Sequence, residues 1–126
     1  MGDKKKILIV EDERLLLNAI KRKLELNGFN VIEAYDGAEG FGVALEKKPD
    51  LILLDLVLPV MDGVTLLERI RENEWGKNVP IIILSNLSDA STISDSKKKG
   101  VNDYLVKTDW KLDEVIGKVK STLDIQ

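Results

Sequence analysis

Glu11 and Asp12 follow the apolar run "ILIV", Asp55 follows "LILL", Ser85 follows "IIIL" and Lys107 follows "DYLV". Three carboxylates, a hydroxyl and an ammonium thus stand at the ends of apolar runs. Each has a bland reading alone: Asp55 as a strand-end cap, Ser85 as a turn residue, Lys107 as a surface lysine. Together they suggest chemistry. Carboxylates held about 4 to 5 Å apart repel by a few kcal/mol per pair at an effective dielectric of about 20, so such a set requires positive charge. Lys107 supplies one unit and a hard divalent ion with oxygen ligands supplies two more; magnesium suits a site of few carboxylates, waters and a phosphate. Acids, a lysine and a hydroxyl around such an ion are the parts of a phosphoryl-transfer site, where positioning and charge neutralisation do most of the catalysis.

These residues can meet only if the elements carrying them end at one edge. "KILIV" (6–10) is a short β-branched run of the kind buried on both faces of a sheet. "ERLLLNAIKRKLELN" (13–27) places Leu16, Leu17, Ile20 and Leu24 at helical spacing before a terminating Gly28. The alternation continues: strand "NVIEA", helix "GAEGFGVALEKK" weakened by Gly40 and Gly42, strand "DLILLD", helix "VTLLERIREN" with Val64, Leu67 and Ile70, or Leu66 and Ile70, on one face. Strand "VPIIILS", a polar, marginal helix "DASTISDSKKK" ended by Gly100, strand "DYLV" and helix "LDEVIGKVKSTL" complete it. Strands alternating with helices predict an α/β fold, a doubly wound parallel five-stranded sheet with helices on both faces. In such a sheet ligands bind beyond the carboxyl ends of the strands, where Glu11, Asp12, Asp55, Ser85 and Lys107 stand. The second strand ends in Ala34 and Tyr35 with no matching group.

Composition narrows the function classes. The chain has 126 residues, one domain's worth (1–126), a net charge of −3, and neither cysteine nor histidine. Disulfides, thiolate or imidazole metal sites, Ser-His-Asp catalysis and a phosphohistidine on this chain are excluded. An acidic balance argues against direct nucleic-acid contact. The run "ILIV" is too short for a signal peptide or membrane span, so a cytoplasmic protein without membrane association is expected. Lys97 to Lys99 read as the solvated C-terminal end of the fourth helix.

"ILIVEDE", "DLILLDLVLPVMDG", "IIILS" and "DYLVK", in this order and spacing, resemble the response-regulator receiver domain, the CheY-like phosphoacceptor module of two-component phosphorelay signalling, over residues 5 to 123. The resemblance implies a flavodoxin-like sheet in the order 2-1-3-4-5. It implies Asp55 as phosphoacceptor, and Glu11, Asp12, Asp55 and the backbone carbonyl of Val57 as holders of Mg2+. Lys107 then pairs with Asp55 and with the phosphoryl group, Ser85 bonds a phosphoryl oxygen, and Tyr104 takes the aromatic switch position beside Ser85, although an aromatic in a short strand also reads as simple packing. One carboxyl oxygen of Asp55 is expected to be left free for esterification. Phosphorylation adds roughly −1.5 to −2 charge beside Ser85 and Lys107; Ser85 moving toward it vacates space for Tyr104 and reshapes the face made by the fourth helix, fifth strand and fifth helix. The implied partners are a histidine kinase or histidine phosphotransfer protein and a downstream effector protein, with the chain a monomer or a phosphorylation-dependent dimer. The only catalysis expected is the chain's own phosphorylation and dephosphorylation.

Four positions bear on that pattern. Thr108 stands where a cis proline usually follows the lysine, leaving a strained cis bond or a trans path as alternatives. Asn86 is larger than the usual small residue after Ser85 and narrows access. Val57 and Leu87, two residues beyond Asp55 and Ser85, cannot orient a hydrolytic water, which predicts slow loss of the phosphoryl group. The competing readings are a receiver-like interaction module that acts without phosphorylation, and an aspartate-nucleophile phosphatase of the haloacid-dehalogenase kind, against which Val57 stands where a second aspartate is expected. The chain stops with its last helix, so a free-standing regulator and a domain of a longer protein are both open.

Overall fold

A computed structural model describes residues 4–125; the remaining ends of the expected 1–126 domain lie outside the described residues. Five strands, β1 (Lys6–Val10), β2 (Asn30–Ala34), β3 (Leu51–Leu54), β4 (Ile81–Ser85) and β5 (Asp103–Val106), alternate with five helices, α1 (Arg14–Leu26), α2 (Gly37–Lys47), α3 (Gly63–Glu72), α4 (Ala90–Lys98) and α5 (Leu112–Thr122). All strand pairs are parallel and the order is β2-β1-β3-β4-β5, as expected. The order reverses beside β1, and the register aligns Val10 with Leu54 of β3 and Ala34 of β2. Glu11 and Asp55 therefore leave neighbouring strands at one level.

Strand alternation divides the apolar residues between two cores. Ile7, Ile9, Leu51, Leu53, Ile82, Leu84 and Leu105 face α1 and α5, against Leu17, Ile20, Leu24, Val115, Ile116 and Val119. Leu8, Val10, Ile52, Leu54, Ile81, Ile83 and Tyr104 face the other way, against Ala44, Leu66, Leu67 and Ile70. The near-continuous apolar strands follow from this double cover. On α3 the buried stripe is Leu66, Leu67 and Ile70, with Val64 only half-buried.

Whereas a Cβ at Gly42 would meet nothing within 4 Å, Gly40 in α2 has a packing reason, since a Cβ there would sit 3.0 Å from a Val10 methyl and 3.2 Å from Leu66. The residue lets α2 approach β1 and α3 closely. The polar α4 is capped by Asp89, which accepts from the Thr92 N–H at 3.0 Å, and buries only Ser96 completely. Arg71 of α3 donates to the carbonyls of Gly76 (2.7 Å), Val79 (2.8 Å), Gly100 (2.7 Å) and Lys99 (3.3 Å). The C-terminal end of α4 is thereby tied to α3 and to the entry of β4. No described helix is long and apolar enough to cross a membrane.

Candidate functional site

The sheet ladder continues one residue beyond the central strands: Glu11 N–H donates to Ala34 O at 3.0 Å and Asp55 N–H to Val10 O at 3.1 Å. These bonds place both side chains at the carboxyl edge. The following loop is pinned by Gly63, whose N–H donates to Leu56 O at 2.9 Å and where a Cβ would collide with the Asp55 carbonyl oxygen.

Carboxylate oxygens of Glu11, Asp12 and Asp55 lie within 4.8 Å of one another. Two oxygens at adjacent vertices of a magnesium octahedron are separated by about 3 Å and two at opposite vertices by about 4 Å, so this spread fits a shared cation after small side-chain adjustment. Glu11 and Asp55 are buried, at 2% and 5% exposure, and Asp12 is exposed, so of the three it is Asp12 that would approach a cation from the solvent side. A cleft of about 240 Å³, lined by Asp12, Glu13, Asp55, Val57, Asn86 and Lys107, opens above them.

Lys107 Nζ donates to Asp55 Oδ2 at 2.8 Å and Glu13 Oε1 at 3.1 Å and forms an ion pair with Glu11 Oε1 at 2.9 Å. Burial by itself would lower the pKa of this ammonium; the hydrogen bonds and charges of Asp55 and Glu11 outweigh it and raise the pKa well above its ordinary value of 10.5. Burial pushes the Glu11 carboxyl above its ordinary 4.5 and the Asp55 charge adds to this, against the Lys107 hydrogen bond and the Glu13 N–H. The Lys107–Thr108 bond is trans, and the lysine reaches Asp55 from a single 3₁₀ turn, Lys107–Asp109.

Both oxygens of Asp55 are engaged, Oδ2 by Lys107 and Oδ1 by the Val57 N–H at 3.1 Å, rather than one being free. A carboxylate oxygen has a second lone pair, so acceptor capacity remains. Ser85 is fully buried and its Oγ accepts a long bond from Leu87 N–H at 3.4 Å; among the described residues no hydrogen bond joins it to Asp55. Tyr104 is 8% exposed, and its hydroxyl donates to Leu87 O at 2.6 Å. The Tyr104 ring is thus already buried in this structure. Burial raises the Tyr104 pKa, the Asp89 and Asp55 charges act in the same direction, and the Ser85 side chain opposes them.

Glu13 was not anticipated as part of this site. Its signal was present in "EDE", but a third acid after two candidate ligands reads from sequence as the solvated start of α1.

A family model described as the response regulator receiver domain matches residues 7–120. The chain is 33% identical over 118 residues, 94% of its length and 48% of the relative's, to the DNA-binding dual master transcriptional regulator RpaA of Synechocystis. It superposes on the receiver domain of the Francisella response regulator 1452 with a TM-score of 0.87 at 33% identity, covering 94% of this chain and 96% of that one. The receiver domain of the sensor histidine kinase PA1611 of Pseudomonas aeruginosa, solved with magnesium coordinated in its active site cleft, superposes with a TM-score of 0.86 at 31% identity, covering 96% and 98%. The chain spans about half the length of the curated relatives it matches.

Proposed function

Because this chain belongs to the response-regulator receiver family, we propose that it accepts a phosphoryl group on Asp55 and uses the resulting charge to change its binding of a partner protein. The observation that carries this reading is the meeting of Glu11, Asp12 and Asp55 within 4.8 Å, with Lys107 bonded to Asp55 at 2.8 Å. An Asp55 carboxylate oxygen attacks the phosphorus of a phosphohistidine on a histidine kinase or histidine phosphotransfer protein. The P–N bond breaks with its electron pair going to the imidazole, and an acyl phosphate remains.

Glu11, Asp12, Asp55 and the Val57 carbonyl hold Mg2+, which supplies charge neutralisation at the phosphoryl oxygens when bound. Lys107 donates to the same oxygens and orients Asp55. The buried Glu11 holds Lys107 and is itself held by the Glu13 N–H at 3.1 Å. Ser85 supplies a hydroxyl to a phosphoryl oxygen. Leu87 follows it closely in sequence and its carbonyl is bonded to Tyr104, so displacement of Ser85 strains that bond and passes to β5 and α4. The output is read on the α4-β5-α5 face by an effector protein or by a second copy of the chain. Inverting a 1:99 equilibrium takes about 5.5 kcal/mol of differential stabilisation; a smaller bias shared with a partner suffices for signalling.

The net charge of −3 supports a protein partner rather than nucleic acid for this chain, whatever the rest of a relative such as RpaA binds. A cytoplasmic location accords with this. Treatment with acetyl phosphate and Mg2+ should add the mass of one phosphate, and Asp55→Asn should not gain it. No mass gain in the unaltered chain returns the protein to the reading of an interaction module that works unphosphorylated; steady turnover of p-nitrophenyl phosphate would favour a phosphatase.

A further inference from the structure

The Lys107 ammonium faces three carboxylates: it donates to Asp55 at 2.8 Å and to Glu13 at 3.1 Å, and forms an ion pair with Glu11 at 2.9 Å. The first two side chains are 5% and 3% exposed, whereas that of Glu13 is 59% exposed. Glu13 occupies the N-cap position of α1, yet its side chain makes no capping bond and turns to the lysine instead. An ion pair this exposed contributes little to stability. Its placement has a different consequence. Glu13 lines the cleft through which a phosphodonor reaches Asp55, and it holds the longest and most hydrated of the Lys107 contacts. That N–H is the one released most easily to an incoming phosphoryl oxygen.

We propose that Glu13 is a specificity-determining residue: a tethered carboxylate that competes with phosphoryl oxygens for the N–H of Lys107 it now holds and makes the cleft mouth selective against the more highly charged small phosphodonors. This rests on Asp55 as the phosphoacceptor. The discrimination is electrostatic, so it depends on donor charge and weakens with salt.

The test uses the full chain as wild type, Glu13→Gln and Glu13→Ala, with magnesium shown by titration to be saturating. Dianionic acetyl phosphate and monoanionic phosphoramidate are the donors, each at low and high potassium chloride. Glu13→Gln should raise the phosphorylation rate about fivefold with acetyl phosphate and about twofold with phosphoramidate at low salt, the gap closing at high salt. Glu13→Ala, with no oxygen left to hold Lys107, should exceed Glu13→Gln. In the unphosphorylated protein the Lys107 ammonium protons, followed by nitrogen-15 NMR, should exchange with water faster in Glu13→Ala than in Glu13→Gln. Equal changes for both donors, a difference indifferent to salt, or no change would overturn the proposal and leave Asp55 in its role. A wild type that takes phosphate from neither donor would overturn both.

Discussion

Lys107 and Asp55, 52 residues apart in the chain, are joined by a 2.8 Å hydrogen bond between Nζ and Oδ2. The same ammonium bonds Glu11 and Glu13, so one cation compensates much of the negative charge at the sheet edge. Replacing it exposes the carboxylates to one another and to any cation that enters. Lys107→Met should tighten Mg2+ binding on the order of tenfold, equivalent to about 1.4 kcal/mol of repulsion removed. Isothermal titration calorimetry measures this. In the wild type the raised Lys107 pKa contributes stability that is fully present below 10.5 and is lost as pH rises above it. The variant should lack that contribution to the alkaline loss.

Glu11 carries a pH signature of the same sign, displaced to the acid side. Its folded-state pKa is raised above 4.5, so just above that value the native state binds more protons than the unfolded chain. Its contribution therefore makes stability fall as pH rises through this window. Urea unfolding in chelator, compared between wild type and Glu11→Gln, should show a flatter pH dependence in the variant; parallel profiles would contradict the assignment.

Val57 and Leu87, 56% and 38% exposed and two residues beyond Asp55 and Ser85, carry no side-chain hydrogen-bonding group with which to orient a water attacking an acyl phosphate. The phosphorylated chain should keep its label for minutes or longer rather than seconds. Val57→Asn, which supplies a hydrogen bond to that water, should shorten the lifetime about tenfold, the value of roughly 1.4 kcal/mol in the transition state. Loss of label from the isolated phosphoprotein gives both numbers.

Val60 has φ of 69° and is 82% exposed. A β-branched residue is strained in the left-handed region and this one gains little burial in return. Val60→Asn, which tolerates that conformation, should raise stability by about 0.5 to 1 kcal/mol in urea unfolding. An unchanged or lower midpoint would count against strain at this turn.

Arg71 gathers four backbone carbonyls from the Trp75–Lys77 turn, the approach to β4 and the end of α4. Arg71→Met should cost about 2 to 3 kcal/mol, since half-buried carbonyls lose charged donors. Arg71→Lys should recover little, because an ammonium cannot reproduce the fork of the guanidinium. Hydrogen exchange should report loosening at Gly100 and the C-terminal turn of α4 in both.

"KILIV", "NVIEA" and "DYLV" coincide with β1, β2 and β5 residue for residue, the first because a parallel strand covered on both faces is written as an apolar run. Helix faces were less legible. On α3, periodicity left Val64 and Leu66 as alternatives, and only the direction of approach to the sheet buried Leu66 and Leu67 together. Of the two α2 glycines that weaken the helix, only Gly40 is required by packing, against Val10 and Leu66; Gly42 has open space.

For the site, the sequence by itself determined which groups stand at strand ends, since an apolar run that stops in a carboxylate or lysine must stop at an edge where charge can be hydrated or paired. It also determined that no imidazole or thiol takes part. Only the tertiary structure decided how those groups share their bonds. Three carboxylates surround one ammonium, Glu13 among them, Ser85 is fully buried and accepts from the Leu87 N–H, and Tyr104 is already inside. Hydrogen-bond partners depend on where side chains meet within a few tenths of an ångström, and that is set by strand register and helix packing across the whole domain rather than by spacing along the chain.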